Sequence, residues 1–108
     1  ILQPDIQWVG GVTATVKICH IAEAAGISVI PHGGMNDSYG QHTCYAMPAI
    51  PWGEFFLGTA PGMPLDGGYR DTPGMSFPEN GRLVPSGDPG FGIELTKEEL
   101  EAASTAAR

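Results

Sequence analysis

The chain has 108 residues, with five Lys and Arg against twelve Asp and Glu and a formal net charge of −7. That length sets one domain as the prior, and the acidic balance leaves no basic patch to hold phosphates, which argues against a nucleic-acid partner. No apolar run approaches the roughly 20 residues that span a bilayer, and no opening stretch has the charged-then-apolar layout of a secretory signal.

Two cysteines, Cys19 and Cys44, lie far apart on separate segments. They form neither a C-x-x-C motif nor a disulfide framework. They read as reduced, small apolar residues of a cytoplasmic protein. Asn36-Asp37-Ser38 fits the glycosylation pattern, but carries little weight without a secretory signal.

Ile1-Leu2 already reads as strand and no initiator Met precedes it, so the chain is expected to be a piece of something larger. That first strand fades between Asp5 and Trp8, and Gly10-Gly11 break it. Thr13 is placed to cap a helix over residues 14–25. Ala14, Ile18, Ile21, Ala22 and Ala25 form one apolar helical stripe, with Lys17, His20 and Glu23 opposite. Gly26 is a helix stop. Residues 27–30 are a second strand, too continuously apolar for a sheet with one wet face, as in a parallel strand buried on both sides. Together these make one βαβ unit.

Residues 31–40 read as a polar, Gly-rich loop, residues 41–47 as a short helix ended by Pro48, and residues 54–57 as a third strand. Ten Pro and sixteen Gly fall mostly after residue 50, so the second half is loop-rich. Residues 59–76 are a Gly/Pro loop without a period. Asn80-Gly81 signals a hairpin turn between Ser76-Phe77 and Leu83-Val84. Thr96-Lys97-Glu98-Glu99 is a capping box that opens a C-terminal helix, fraying toward Arg108.

Strand, helix, strand, short helix, strand is the rhythm of a β/α barrel. The predicted class is α/β: about the last three strands of such a barrel over residues 1–60, and a loop-rich extension over residues 61–108. Three strands do not close a barrel, so both sheet edges would be open.

His32 is the sharpest site candidate. It follows an apolar strand and precedes Gly33-Gly34, which let a substrate approach the backbone. Active sites of β/α barrels lie at the C-terminal ends of strands. Asp5 holds the matching position on the first strand, where a carboxylate could orient the imidazole while the imidazole moves a proton. The bland reading of Asp5 is a turn or cap residue. Glu54 begins its strand's apolar run and reads equally as a solvated carboxylate. His32, His42 and Cys44 match no common zinc framework by spacing.

Gln3-Pro4-Asp5, Gly10-Gly11, Pro31-His32-Gly33, Glu54-Phe55-Phe56 and Pro89-Gly90-Phe91-Gly92-Ile93-Glu94-Leu95 together resemble the enolase superfamily. More narrowly they look like acid-sugar dehydratases of the mandelate racemase type, closest to the L-rhamnonate dehydratases, and match only the C-terminal third of such an enzyme. The resemblance implies a modified TIM barrel under a capping domain, toward which the C-terminal extension would pack.

It further implies Mg²⁺ held by three carboxylates upstream of this chain. His32 matches the base at the end of the seventh strand, Asp5 its partner at the sixth, and Glu54 a substrate-facing carboxylate at the eighth. The implied reaction removes the proton α to a sugar-acid carboxylate and eliminates the 3-hydroxyl, giving a 2-keto-3-deoxy acid. The implied partners are the sugar acid, the remainder of the same polypeptide and further copies of the enzyme in a homo-oligomer. Without the metal ligands, the isolated chain is expected to be inactive. The competing reading is a non-enzymatic interaction or assembly module built from barrel-derived sequence.

Overall fold

In a computed structural model of the chain, the described residues are 1–58, 60–64 and 73–106. Thr59, residues 65–72 and residues 107–108 lie outside them, and with them much of the expected 59–76 loop and the end of the C-terminal helix.

The described residues form three helices: α1 (Gly11–Ala24), α2 (Ser38–Ala46) and α3 (Lys97–Ala106). They contain no strand. Two isolated bridges stand where strands were expected: Leu2 with Val29, parallel, and Glu79 with Arg82, antiparallel. The first has a chemical cause. Leu2 N–H donates to Ser28 C=O, Ile30 N–H to Leu2 C=O, and His32 N–H to Pro4 C=O, at 3.0, 2.8 and 3.0 Å. These are three bonds of a parallel ladder. The bond that would complete it must come from the nitrogen of Pro4, which has no hydrogen to donate. Residues 1–5 and 27–32 thus lie side by side without forming a named strand.

Residues 49–56 continue the arrangement. Val29 N–H donates to Ala49 C=O at 2.8 Å and Met35 N–H to Glu54 C=O at 2.9 Å. At residues 54–57, where the third strand was predicted, the structure has no strand.

A tight turn follows Asp5, and Gly10 enters α1 with φ 109°, a conformation open to glycine at little cost. Gly10-Gly11 therefore start the helix, and Thr13 lies inside it rather than capping it. The buried face of α1 is Thr15, Cys19 and Ala22. It is rotated from the expected stripe, so that Ile21 is largely exposed. The helix stops at Gly26 as expected, where Ile27 N–H returns to Ala22 C=O at 2.8 Å.

α2 begins three residues earlier than the sequence suggests. Asp37 is its N-cap and accepts the Gly40 N–H at 2.5 Å. α1 and α2 pack on each other. Between them and the bridge residue Val29 lies a core of Cys19, Ala22, Val29, Cys44, Ala49 and Ile50, with Met35 and Met47 against it.

The hairpin turn and the capping box both form. Asn80 and Gly81 take φ 50° and 74°, the turn that Asn-Gly favours. Thr96 and Glu99 exchange bonds at the start of α3: Thr96 N–H to Glu99 Oε2 at 2.7 Å, and Glu99 N–H to Thr96 Oγ1 at 3.2 Å. The Thr96 N–H, and then the Thr96 side chain, hold the Glu99 carboxyl below its ordinary value. Among the described residues no helix is long and apolar enough to cross a membrane.

Candidate active site

The ladder that stops at Pro4 delivers Asp5 and His32 to the same end of their segments. Both line one cavity of about 260 Å³, together with Ile6, Gln7, Asn36 and Asp37 among others. The expected juxtaposition of Asp5 and His32 around one space is present.

No direct hydrogen bond joins them. Asp5 Oδ1 accepts the N–H of Gln7 at 2.8 Å and of Trp8 at 3.3 Å. The turn that ends the segment folds these N–H groups back onto the nearest carboxylate. The imidazole faces a different acid: His32 Nδ1 lies 3.6 Å from Glu54 Oε1. That separation is an ion-pair distance rather than a hydrogen bond. The His32 side chain is 67% exposed and that of Glu54 33%, so solvent screens the pair and its worth to stability is small.

Glu54 is brought there by the loop after His32. Met35 N–H holds the Glu54 carbonyl, and the Asn36 side chain holds both backbone groups of Phe56. Asp37 lies deeper. Burial pushes its carboxyl above the ordinary range, and the nearby Asp5 charge adds to this, while the Gly40 N–H and the Tyr39 hydroxyl pull the other way. Burial, and then the Asp37 charge, likewise push the Tyr39 hydroxyl up.

Gln41 is fully buried. Its Nε2 donates to Met35 C=O and Ser76 C=O, both at 2.9 Å, and its Oε1 accepts the Ser76 N–H at 2.9 Å. One amide thereby ties the loop after His32 to the C-terminal extension. Sequence reasoning passed over Asn36, Asp37 and Gln41 as site residues. The sequence signal for Asp37 is its place three residues before Gly40, an N-cap spacing. Asn36 and Gln41 find their partners at distant positions and have no local signal.

Among the described residues no group of three or more His, Cys, Asp or Glu could hold a metal ion. Among the described residues the cavity lining also has no Lys or Arg. The described arrangement offers an imidazole with a carboxylate beside it, able to take and return a proton.

The Enolase C-terminal domain-like family matches residues 1–100. A protein of Caldivirga maquilingensis named "Putative L-rhamnonate dehydratase" is 38% identical over 104 residues, covering 93% of this chain and 25% of the relative. The chain thus spans about a quarter of the length of the curated relative it matches. No solved structure matches it.

Proposed function

The chain belongs to the enolase C-terminal domain-like family, and from that premise we propose that it is the C-terminal part of a sugar-acid dehydratase of the L-rhamnonate dehydratase kind. The observation that carries the proposal is the cavity that Asp5 and His32 line together, with the His32 imidazole beside Glu54.

In this reading His32 is the base. Nδ1 faces the Glu54 carboxylate, which leaves Nε2 to take the proton from the carbon α to the substrate carboxylate. The electron pair of that C–H bond forms the enediolate. It then expels the 3-hydroxyl, to which His32 returns the proton, and water leaves. The resulting enol becomes the 2-keto-3-deoxy acid. Glu54 steadies the ring and offsets the charge it gains. Asp5 holds the turn that shapes the cavity wall.

Members of the enolase superfamily are generally Mg²⁺-dependent. The residues described here do not fit that ion, since no acidic cluster with ligand geometry exists among them. Its ligands belong to a part of the enzyme outside this chain, and so does the positive charge that the enediolate requires. The isolated chain is accordingly inactive, and the rest of the same polypeptide is its necessary partner.

The test is a panel of sugar acids, rhamnonate, lyxonate and mannonate among them, assayed with the full-length enzyme and Mg²⁺ for 2-keto-3-deoxy product. Turnover of at least one, lost on chelation of the metal, is the expected result. A full-length protein that binds these acids but dehydrates none would overturn the reading in favour of an assembly module.

A further inference from the structure

Residues 76 and 77 of the extension touch both sides of the site. Ser76 meets α2: its N–H donates to Gln41 Oε1, and Gln41 Nε2 donates to its carbonyl, both at 2.9 Å. The same Nε2 donates to the Met35 carbonyl at 2.9 Å, which carries the contact on into the loop after His32. Phe77 meets the other side. Its ring packs edge-on against Phe55, the neighbour of Glu54, with centroids 6.4 Å apart and planes at 66°. A span of two residues thus runs from the loop after His32 to the segment that carries Glu54.

Three observations make this span stiff. Gln41 is fully buried, so breaking its bonds would leave polar groups unpaired away from water. Gly74, just before the span, lies so near the backbone of Phe91 and Gly92 that a Cβ there would meet the Phe91 carbonyl oxygen at 2.6 Å. Phe91 in turn packs edge-on against Tyr39 and His42 of α2, with centroids at 6.4 and 5.6 Å. The extension is therefore seated on α2 at two places, by an amide at Ser76 and by aromatic edges at Phe91, and its backbone crosses itself between them.

We propose that the extension is a working part of the active site, with Gln41 and Phe77 as positioning residues that set the segment of Glu54 against the loop of His32. This rests on the reading of His32 as the base and of Glu54 as its neighbour in catalysis. The span acts beside the bond from Met35 N–H to the Glu54 carbonyl and the two bonds of Asn36 to Phe56, and Phe55 and Phe56 make further interactions. Its loss loosens the Glu54 segment without releasing it. A displacement on the order of 1 Å in a catalytic group costs about 100-fold in rate, and a partial loosening costs a fraction of that.

The experiment uses the full-length enzyme with Phe77→Ala, Phe77→Leu, Gln41→Glu, Glu54→Gln and the Phe77→Ala/Glu54→Gln double variant. Hydrogen exchange of the Met35 amide, which the Glu54 carbonyl accepts, reads the span without substrate. Steady-state kinetics on the best sugar acid read its consequence. Phe77→Ala should speed Met35 exchange and lower kcat by about 3- to 30-fold, with KM moved by about 2-fold at most. Added to Glu54→Gln it should cost little more, because the carboxylate it positions is already gone. Gln41→Glu keeps the acceptor for the Ser76 N–H and turns an oxygen toward the Met35 and Ser76 carbonyls, so it should lower kcat from the other end of the span. Phe77→Leu keeps apolar bulk without the ring edge and should fall between wild type and Phe77→Ala. It carries the test if the other variants do not fold.

Faster exchange at unchanged kcat would overturn the proposal, leaving the span a prop of the fold only. Multiplicative losses in the double variant would also overturn it, since Phe77 would then act elsewhere than on Glu54. A rise in KM alone would assign the span to substrate binding instead. Unchanged Met35 exchange in every folded variant would deny that the span holds the two segments together. Wild-type enzyme inert on every sugar acid sinks the dehydratase reading and the proposal with it, whereas active wild type with undisturbed Phe77 and Gln41 variants sinks the proposal alone.

Discussion

A carboxylate beside an imidazole and a carboxylate that caps a turn respond differently to neutralisation. Glu54→Gln removes the charge facing His32 Nδ1, and in the full enzyme it should cost kcat about 10- to 100-fold. Asp5→Asn keeps an oxygen for the Gln7 and Trp8 N–H groups, so it should cost less than Glu54→Gln. Parallel kinetics decide between them, and a larger loss at Asp5 would restore it as the ring's partner. Cys44 gives a second prediction at this scale. Burial first, then the charges of Cys19 and Asp37, push its thiol from 9.0 to about 12. Near pH 8 that leaves roughly 1,000-fold less thiolate than in the unfolded chain, so alkylation followed by mass spectrometry should find Cys44 unmodified until the protein unfolds. The sign for stability follows from the raised folded value: the thiol's contribution is whole below pH 9 and is lost as pH rises toward 12. Rapid labelling of folded protein would contradict the burial. His32 and Asp5 were legible in the sequence because strand-end position is a local property. Asn36 and Gln41 were not, because Asn36 holds backbone groups 20 residues away and Gln41 ties Met35 to Ser76, 35 residues on.

At the scale of elements, α2 is the piece that seats the loop after His32, and it does so by close approach. A Cβ on Gly40 would run into the Gly34 carbonyl oxygen and the Asp37 carboxylate. The obstacle is partly backbone, so it cannot swing aside. Gly40→Ala should therefore destabilise the fold by about 1–3 kcal/mol, despite the better helix propensity of alanine. Chemical denaturation of the two proteins measures this, and an unchanged or raised midpoint would show that the loop moves freely from α2. The ends of helices were readable where one residue dictates them, as at Gly26, Pro48 and the Thr96–Glu99 box. The start of α2 was hidden because Gly40 reads as a loop residue until its contact with Gly34 is known. The start of α1 was hidden because Gly10-Gly11 read as breakers. The strands failed for a local reason, at Pro4, and for a distant one, at Phe56, whose backbone groups go to a side chain.

For the molecule as a whole, the exposed apolar surface is informative. Trp8, Ile21 and Trp52, at 87%, 70% and 73% exposure, offer apolar surface to a partner. As an isolated polypeptide the chain should associate in sedimentation, and calorimetric titration should show no tight Mg²⁺ binding. Tight stoichiometric binding would mean that a metal site forms within these residues after all. The proton transfer depends most directly on His32. In the full-length enzyme, His32→Asn keeps size and polarity but removes the proton acceptor. On the best sugar acid, with Mg²⁺ present, kcat should fall by about 10²–10⁴-fold or more with thermal unfolding unchanged. Turnover near the wild-type rate would contradict it.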